Sequence, residues 1–381
     1  MLTCKKHLFS LSDEVTYLNC ATMSPFLRSV ERIGIENLKR KSNPQNIKSQ
    51  DFFTDRQLLK ERFTQLIHAP HPDCVSIIPS VSYGIGTVIK NIRFKRGDEI
   101  IVLEDQFPSN VYGWKGLEKT DGVKIISVKA PPLTPGRGSI WNQRLLDAIN
   151  ERTKVVAIPQ VHWSDGTLFD LQAVRKKTLR MEAYLIIDGT QSIGALPFST
   201  SEIQPDALIC GGYKWLMGAY GLGMAYYGER FYEGTPLEDN WINHQGSEDF
   251  TNLARYNPEF KPKANRYDMG ESSNFIHVPM LAEAIGQIMD WTTDGIQQYC
   301  KEITYEAIQT LKNHGYYIEV PEYRGHHLFG IYTLGRKPME TIKQSLTEGN
   351  IQVSYRGEAI RISPHLYNTR EDLEKLVNCF I

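Results

Sequence analysis

From about residue 73 the chain alternates short apolar runs with amphipathic stretches. Val75-Ser-Ile-Ile-Pro, Glu99-Ile-Ile-Val-Leu, Val123 to Val128, Val155-Val-Ala-Ile-Pro, Ala183-Tyr-Leu-Ile-Ile-Asp and Asp206-Ala-Leu-Ile-Cys read as strands, and Leu222 to Tyr227 as a further one. Helical spacing predicts helices over 83–91, from 111 onward, over 141–150 and over 171–179. Strands that lose their polar alternation are buried on both faces, and intervening helices are the crossovers that parallel neighbours need. The expected fold is therefore α/β, with a mostly parallel sheet sandwiched by helices. Upstream, Val15-Thr-Tyr-Leu-Asn is an extended piece, and 28–40 and 51–68 are polar-faced helices. Residues 230–275 are irregular. One or two long helices over 279–315 follow, then short strands at Tyr317–Val320, His327–Tyr332 and Gln352–Ser354 and helices at 337–347 and 370–379. This predicts a smaller C-terminal α+β domain. The expected units are an N-terminal segment (1–20), a large domain (21–275) and a small domain (276–381).

Composition narrows the partners. In 381 residues, 43 Lys and Arg nearly balance 44 Asp and Glu, without a long run of one sign. That argues against nucleic acid or an anionic membrane as the main partner. Cysteines 4, 20, 74, 210, 300 and 379 are scattered and form no zinc-type cluster, which fits a reducing compartment. Neither a secretory leader pattern nor an apolar stretch near ~20 residues is present, so the expected location is cytoplasmic.

Two strand-end residues carry the chemistry. Asp188 closes the strand Ala183-Tyr-Leu-Ile-Ile-Asp, and Lys214 follows the strand ending at Cys210 in a glycine-rich bend, Gly211-Gly-Tyr-Lys-Trp-Leu-Met-Gly. A buried ammonium is costly, but a neutral amine bonded to a carbonyl as a Schiff base is not. An amine for an aldehyde and an anion for a ring nitrogen are what pyridoxal 5'-phosphate (PLP) requires. Each residue also has a plainer reading, Asp188 as a turn cap and Lys214 as a snorkelling side chain. The turn Pro79-Ser-Val-Ser leads from a strand into a helix, where free N–H groups suit a phosphate, or where a serine simply caps. It is neither a Walker A loop nor a dinucleotide fingerprint. Phe107 is placed to stack on a heterocycle or to fill the core, and His162 to hydrogen-bond a ligand or to cap a turn. Arg361 in Ala359-Ile-Arg-Ile-Ser needs an anion, either a substrate carboxylate or an internal acid.

With these residues in hand, the chain resembles the class V aminotransferase family of fold-type I PLP-dependent enzymes. That group includes cysteine desulfurases, selenocysteine lyases, isopenicillin N epimerases and kynureninases. The resemblance runs from Tyr17-Leu-Asn-Cys-Ala-Thr-Met-Ser-Pro to Tyr367-Asn-Thr-Arg-Glu-Asp-Leu and is most specific over Asp188-Gly-Thr-Gln191 and Gly212-Tyr-Lys214. It implies that Lys214 is the Schiff-base lysine, with Asp188 at the pyridinium nitrogen. Gln191 would meet the phenolic oxygen and Phe107 the ring face. The amide of Val81, Ser82 and Tyr213 would hold the phosphate, and Arg361 the substrate α-carboxylate. It also implies a homodimer with shared active sites, in which Ser272 or Ser273 replaces a threonine that reaches the partner's phosphate; Glu271 stands at the threonine's place. The loop Val353-Ser-Tyr-Arg-Gly-Glu-Ala-Ile-Arg361 lacks the reactive cysteine of desulfurases.

The expected activity is thus that of a PLP-dependent enzyme acting on an amino acid through an external aldimine and an α-carbanion, with an aminotransferase-like or epimerase-like outcome. The alternatives are a selenocysteine lyase-like or kynureninase-like lyase, a non-catalytic PLP-binding sensor and, more remotely, a nucleotide-dependent oxidoreductase.

Overall fold

The computed structural model describes residues 2–381. Strand β1 (Thr16–Tyr17) belongs to the N-terminal segment. Seven strands then build one central sheet: β2 (Val75–Ile78), β3 (Glu99–Leu103), β4 (Lys124–Val128), β5 (Thr153–Pro159), β6 (Tyr184–Asp188), β7 (Ala207–Gly211) and β8 (Gly223–Tyr227). Their spatial order is β2-β8-β7-β6-β5-β3-β4. Pairing is parallel except along β8, which is antiparallel to both neighbours. Side chains alternate between two cores. Ile101, Val156, Leu185 and Leu208 pack on one face, and Ile100, Val155, Ile186 and Ile209 on the other. Burial on both faces is why these strands read as unbroken apolar runs.

The C-terminal part carries helices His277–Trp291 and Thr293–Asn313 and a three-stranded antiparallel sheet. Its strands are β9 (Phe329–Tyr332), β11 (Ser354–Arg356) and β12 (Ala359–Ile362), in the order β11-β12-β9. Between them in sequence, β10 (Ile351–Gln352) pairs in parallel with β1, so the chain's first strand is held by its last hundred residues. No helix among the described residues is long and apolar enough to cross a membrane.

Three sequence expectations change. Tyr317–Val320 is not a strand but an isolated bridge, Tyr317 to Tyr332. Glu319 is diverted to the amides of Gly136 (2.9 Å) and Gly138 (2.8 Å), which draws the segment out of register. The helix expected from Trp141 begins at Arg137, behind Gly136 at φ 77°, a left-handed position that glycine adopts without strain. Gln352–Ser354 is divided between two sheets, because β10 turns to β1 and β11 to β12.

The edge strand β2 is fixed by a buried ionic cluster. Asp268 is fully buried and accepts from Arg56 (2.7 Å), Lys60 (2.6 Å) and the Ile77 amide (2.6 Å). The carboxylate thereby ties the helix Asp51–Leu66 to β2. Burial lowers the Lys60 pKa to about 8, against the pull of Asp268. Removing one partner of such a cluster leaves unpaired buried charge. Asp268→Asn is expected to cost about 3–5 kcal/mol in a urea unfolding titration; a loss below about 1 kcal/mol, the size of an exposed pair, would show that the cluster is not what holds β2.

Candidate active site

Six of the seven strands end on one side of the sheet, and the loops after five of them enclose a cavity of about 190 Å³. Open α/β sheets place ligands at this edge because the loops diverge there. Pro79 to Ser82 follow β2, Gln106 and Phe107 follow β3, and Pro159 and Val161 end or follow β5. Asp188 ends β6, and Tyr213 and Lys214 follow β7.

Asp188 points into the cavity from the centre of the sheet, with Oδ1 accepting from the Thr190 amide (3.0 Å). Burial raises its pKa, while the Thr190 hydrogen bonds and Lys214 oppose the rise. Lys214 is 6% exposed. It sits in a bend closed by Gly212 N–H to Leu222 O (2.9 Å) and Gly218 N–H to Gly212 O (2.8 Å). Gly212 has no room for a side chain, since a Cβ would lie 2.6 Å from the Leu222 carbonyl oxygen. The Lys214 ammonium makes no ion pair among the described residues. Its Nζ instead lies 5.2 Å from the Phe107 ring centre and 5.5 Å from that of Tyr213. Burial first, and then the like charge of Arg361, lower its pKa to about 8. Asp188 and Lys214 thus face one space without touching, each with its charged form disfavoured by burial.

The phosphate-type end is the start of the helix Val81–Lys90. Ser80 caps it by accepting from the Tyr83 amide (3.3 Å), and Val81 and Ser82 line the cavity. The cap leaves amides open towards the cavity, because the helix start offers more of them than the serine satisfies. Phe107 stands edge-on to Trp163, centres 5.4 Å apart. The loop behind it is set by Gln106, which donates to Asn110 O (2.8 Å) and Ala157 O (3.0 Å). Gln191 also lines the cavity, yet its amide is already engaged, donating to Ala21 O (3.0 Å) and accepting from Trp215 Nε1 (2.8 Å). One N–H of that amide is left for a ligand.

Arg361 lies on the middle strand of the small sheet and is 1% exposed. It donates to Ser354 Oγ (3.0 Å), the Trp163 carbonyl (2.7 Å) and Thr22 Oγ1 (2.6 Å), all neutral acceptors. It has no internal acid among the described residues, so the salt-bridge reading does not hold. Burial and Arg356 lower its pKa from the ordinary arginine value.

Of the expected residues, His162, Arg361 and Ser272 do not line this cavity. His162 is buried beside the Trp141 ring, with its nitrogens meeting Ser164 Oγ (2.8 Å) and Glu104 O (3.2 Å). These bonds pin it to the loop, and it is Trp163, one residue on, that lines the site. Ser272 lies elsewhere, fully buried, its hydroxyl without a hydrogen-bond partner among the described residues. Ser273 donates to Phe52 O (2.6 Å). Trp163, Thr190, Thr22 and Arg356 were not picked out from the sequence. Trp163 and Thr190 stand inside motifs that were noticed, where the neighbouring His162 and Asp188 drew the assignment.

The aminotransferase class-V family model matches residues 36–376. An uncharacterized aminotransferase of Bacillus subtilis is 22% identical over 84% of this chain and 82% of its own length. A kynureninase of Geobacillus thermodenitrificans is 24% identical over 80% and 73%. Among solved structures, a mutant of the lyase C-DES with glycine covalently linked to its PLP cofactor superposes with a TM-score of 0.86 at 16% identity, covering 99% of this chain and 98% of that one. The cysteine desulfurase CsdA of Escherichia coli gives 0.81 at 18% identity, covering 98% and 96%. The fold is that of these proteins.

The depressed amine gives a direct test. An aldehyde probe trapped with cyanoborohydride should label Lys214 ahead of surface lysines, with labelling that rises as pH increases through about 8 and then levels off. In Arg361→Met the opposing charge is gone, so the midpoint should move to higher pH. Peptide mass spectrometry reads both, and labelling of Lys214 that tracks surface lysines at every pH would refute the environment described.

Proposed function

The chain belongs to the class-V aminotransferase family and works with pyridoxal 5'-phosphate, and from that premise we propose that it acts on an amino acid by moving the proton at the substrate α-carbon, with an aminotransferase-like or epimerase-like outcome. The observation that carries this reading is the buried Lys214 amine, without a counter-ion, in the same cavity as Asp188 and beside a guanidinium that no acid neutralises. The donor set fits the cofactor: an amine for its aldehyde, a carboxylate for its ring nitrogen, a helix start with a serine for its phosphate and an aromatic ring for its face. When bound, it supplies an electron-withdrawing ring that stabilises negative charge at the substrate α-carbon.

The chain's own residues supply the rest. Arg361 grips the substrate α-carboxylate and so fixes which bond at the α-carbon faces the ring. Lys214, released when substrate binds, takes the α-proton; an amine whose pKa lies near 8 can both accept and return one near neutral pH. Asp188 would meet the cofactor's ring nitrogen and keep positive charge there. Phe107 and Trp163 cover the site and exclude water.

A cysteine-based lyase is the rival, since cysteine desulfurases are among the relatives. Against it, the loop 353–361 holds no cysteine. Cys20, the thiol that interacts electrostatically with the amine, is fully buried and pushed up to about 12, so little thiolate forms.

Screening amino acids by absorbance change of the yellow holoenzyme, then by product mass, identifies the reaction; a panel that never shifts the spectrum would defeat the proposal. Lys214→Ala is expected to lower turnover by about 10²–10⁴-fold. Arg361→Gln should weaken amino-acid binding by about 10- to 100-fold. Cys20→Ala should leave turnover unchanged, and a large loss there, with folding intact, would favour the lyase.

A further inference from the structure

We propose that Arg356 is a second anion-binding residue of this site, and that the substrate is an amino acid carrying a second negatively charged group on its side chain, such as a carboxylate. The inference rests on the reading of Arg361 given above and adds the substrate class to it.

The small sheet sets the geometry. β11 and β12 pair antiparallel with Ser354 opposite Arg361 and Arg356 opposite Ala359. Residues two apart share a face and opposed residues share it too, so Arg356 and Arg361 project from the same face of the sheet. One hydroxyl links them: Thr22 Oγ1 accepts from Arg361 Nη2 at 2.6 Å and from Arg356 Nη2 at 3.4 Å. Arg356 otherwise donates only to its neighbour's carbonyl, Tyr355 O (2.8 Å). Among the described residues its Nε is buried without a partner and no carboxylate lies within salt-bridge distance. Its guanidinium lies 5.3 Å from the Trp163 ring centre.

Trp163 connects this residue to the reacting centre. It lines the inner cavity with Lys214 and Asp188, and also an outer cleft formed with Arg356, Ser164 and Tyr332. Gln106 borders both as well. A ligand whose α-carboxylate sits on Arg361 can therefore extend its side chain past Trp163 to Arg356. The charge balance fits such a ligand. Lys214 lines the inner cavity, Arg356 lines the outer cleft, and Arg361 shares the Thr22 hydroxyl with Arg356; one α-carboxylate answers only Arg361. Asp105 and Glu358 stand exposed at the rim of the outer cleft and do not pair with Arg356. A second anion would satisfy a guanidinium that the chain leaves open.

The test uses the holoenzyme titrated with aspartate against asparagine and glutamate against glutamine, read by absorbance. Wild type should bind an acid about tenfold or more tightly than its amide. In Arg356→Gln that preference should vanish through loss of acid binding, and Arg356→Lys should restore part of it. Equal affinity for acid and amide in wild type would overturn the inference. So would an Arg356→Gln variant that weakens alanine as much as aspartate, because Arg356 would then serve the α-carboxylate or the loop. A calorimetric arm separates this from failure of the underlying function. Glutarate and butyrate lack the amine, so a glutarate preference that depends on Arg356 supports the second anion site even if no amino acid reacts, and its absence there counts against it.

Discussion

A buried amine with no counter-ion is the constraint around which the site is arranged. Lys214 sits buried beyond the end of an apolar strand, beside the Phe107 and Tyr213 rings and with no carboxylate within salt-bridge distance among the described residues. A folded chain tolerates that only if the group is readily neutral, and both burial and the nearby arginines push it that way. The same burial raises the pKa of Asp188. Had the two groups met as an ion pair, each would have held the other charged and the space between them would have closed. Their separation keeps the cavity between them open.

The positive side of the site is assembled from distant parts of the sequence. Thr22 comes from the N-terminal segment, Trp163 from the loop after β5, and Arg356 and Arg361 from the small C-terminal sheet. The short parallel pairing of β1 with β10 and the bridge from Asn19 to Ser363 keep these parts in register. Gln191 extends the link, joining Ala21 to Trp215 beside the lysine. Substrate recognition and cofactor chemistry are therefore mechanically joined, since a shift of the N-terminal segment would disturb Arg361, Arg356 and Gln191 together.

The local readings that failed did so for a common reason. His162 carries a side chain suited to ligands, but nothing in its neighbourhood of sequence shows which way it points. His162 turned inward to Trp141 and the Glu104 carbonyl. Tyr317–Val320 has a strand's composition, yet two glycine amides nearly 200 positions upstream take the Glu319 carboxylate and change its path. Each outcome was set by a partner far away in the chain.

The periodicity of apolar runs was enough to determine a doubly covered, mostly parallel sheet, because burial on both faces leaves its mark on every strand. Strand-end residues such as Asp188 and Lys214 were legible for the same reason, since position on such a strand dictates which edge they reach. What only the tertiary structure decided was charge: which ions are paired and which are left open. Asp268 found two cations, while Arg361 and Arg356 found none. Pairing depends on distances of a few ångströms between segments hundreds of residues apart, and a linear pattern carries no record of those distances.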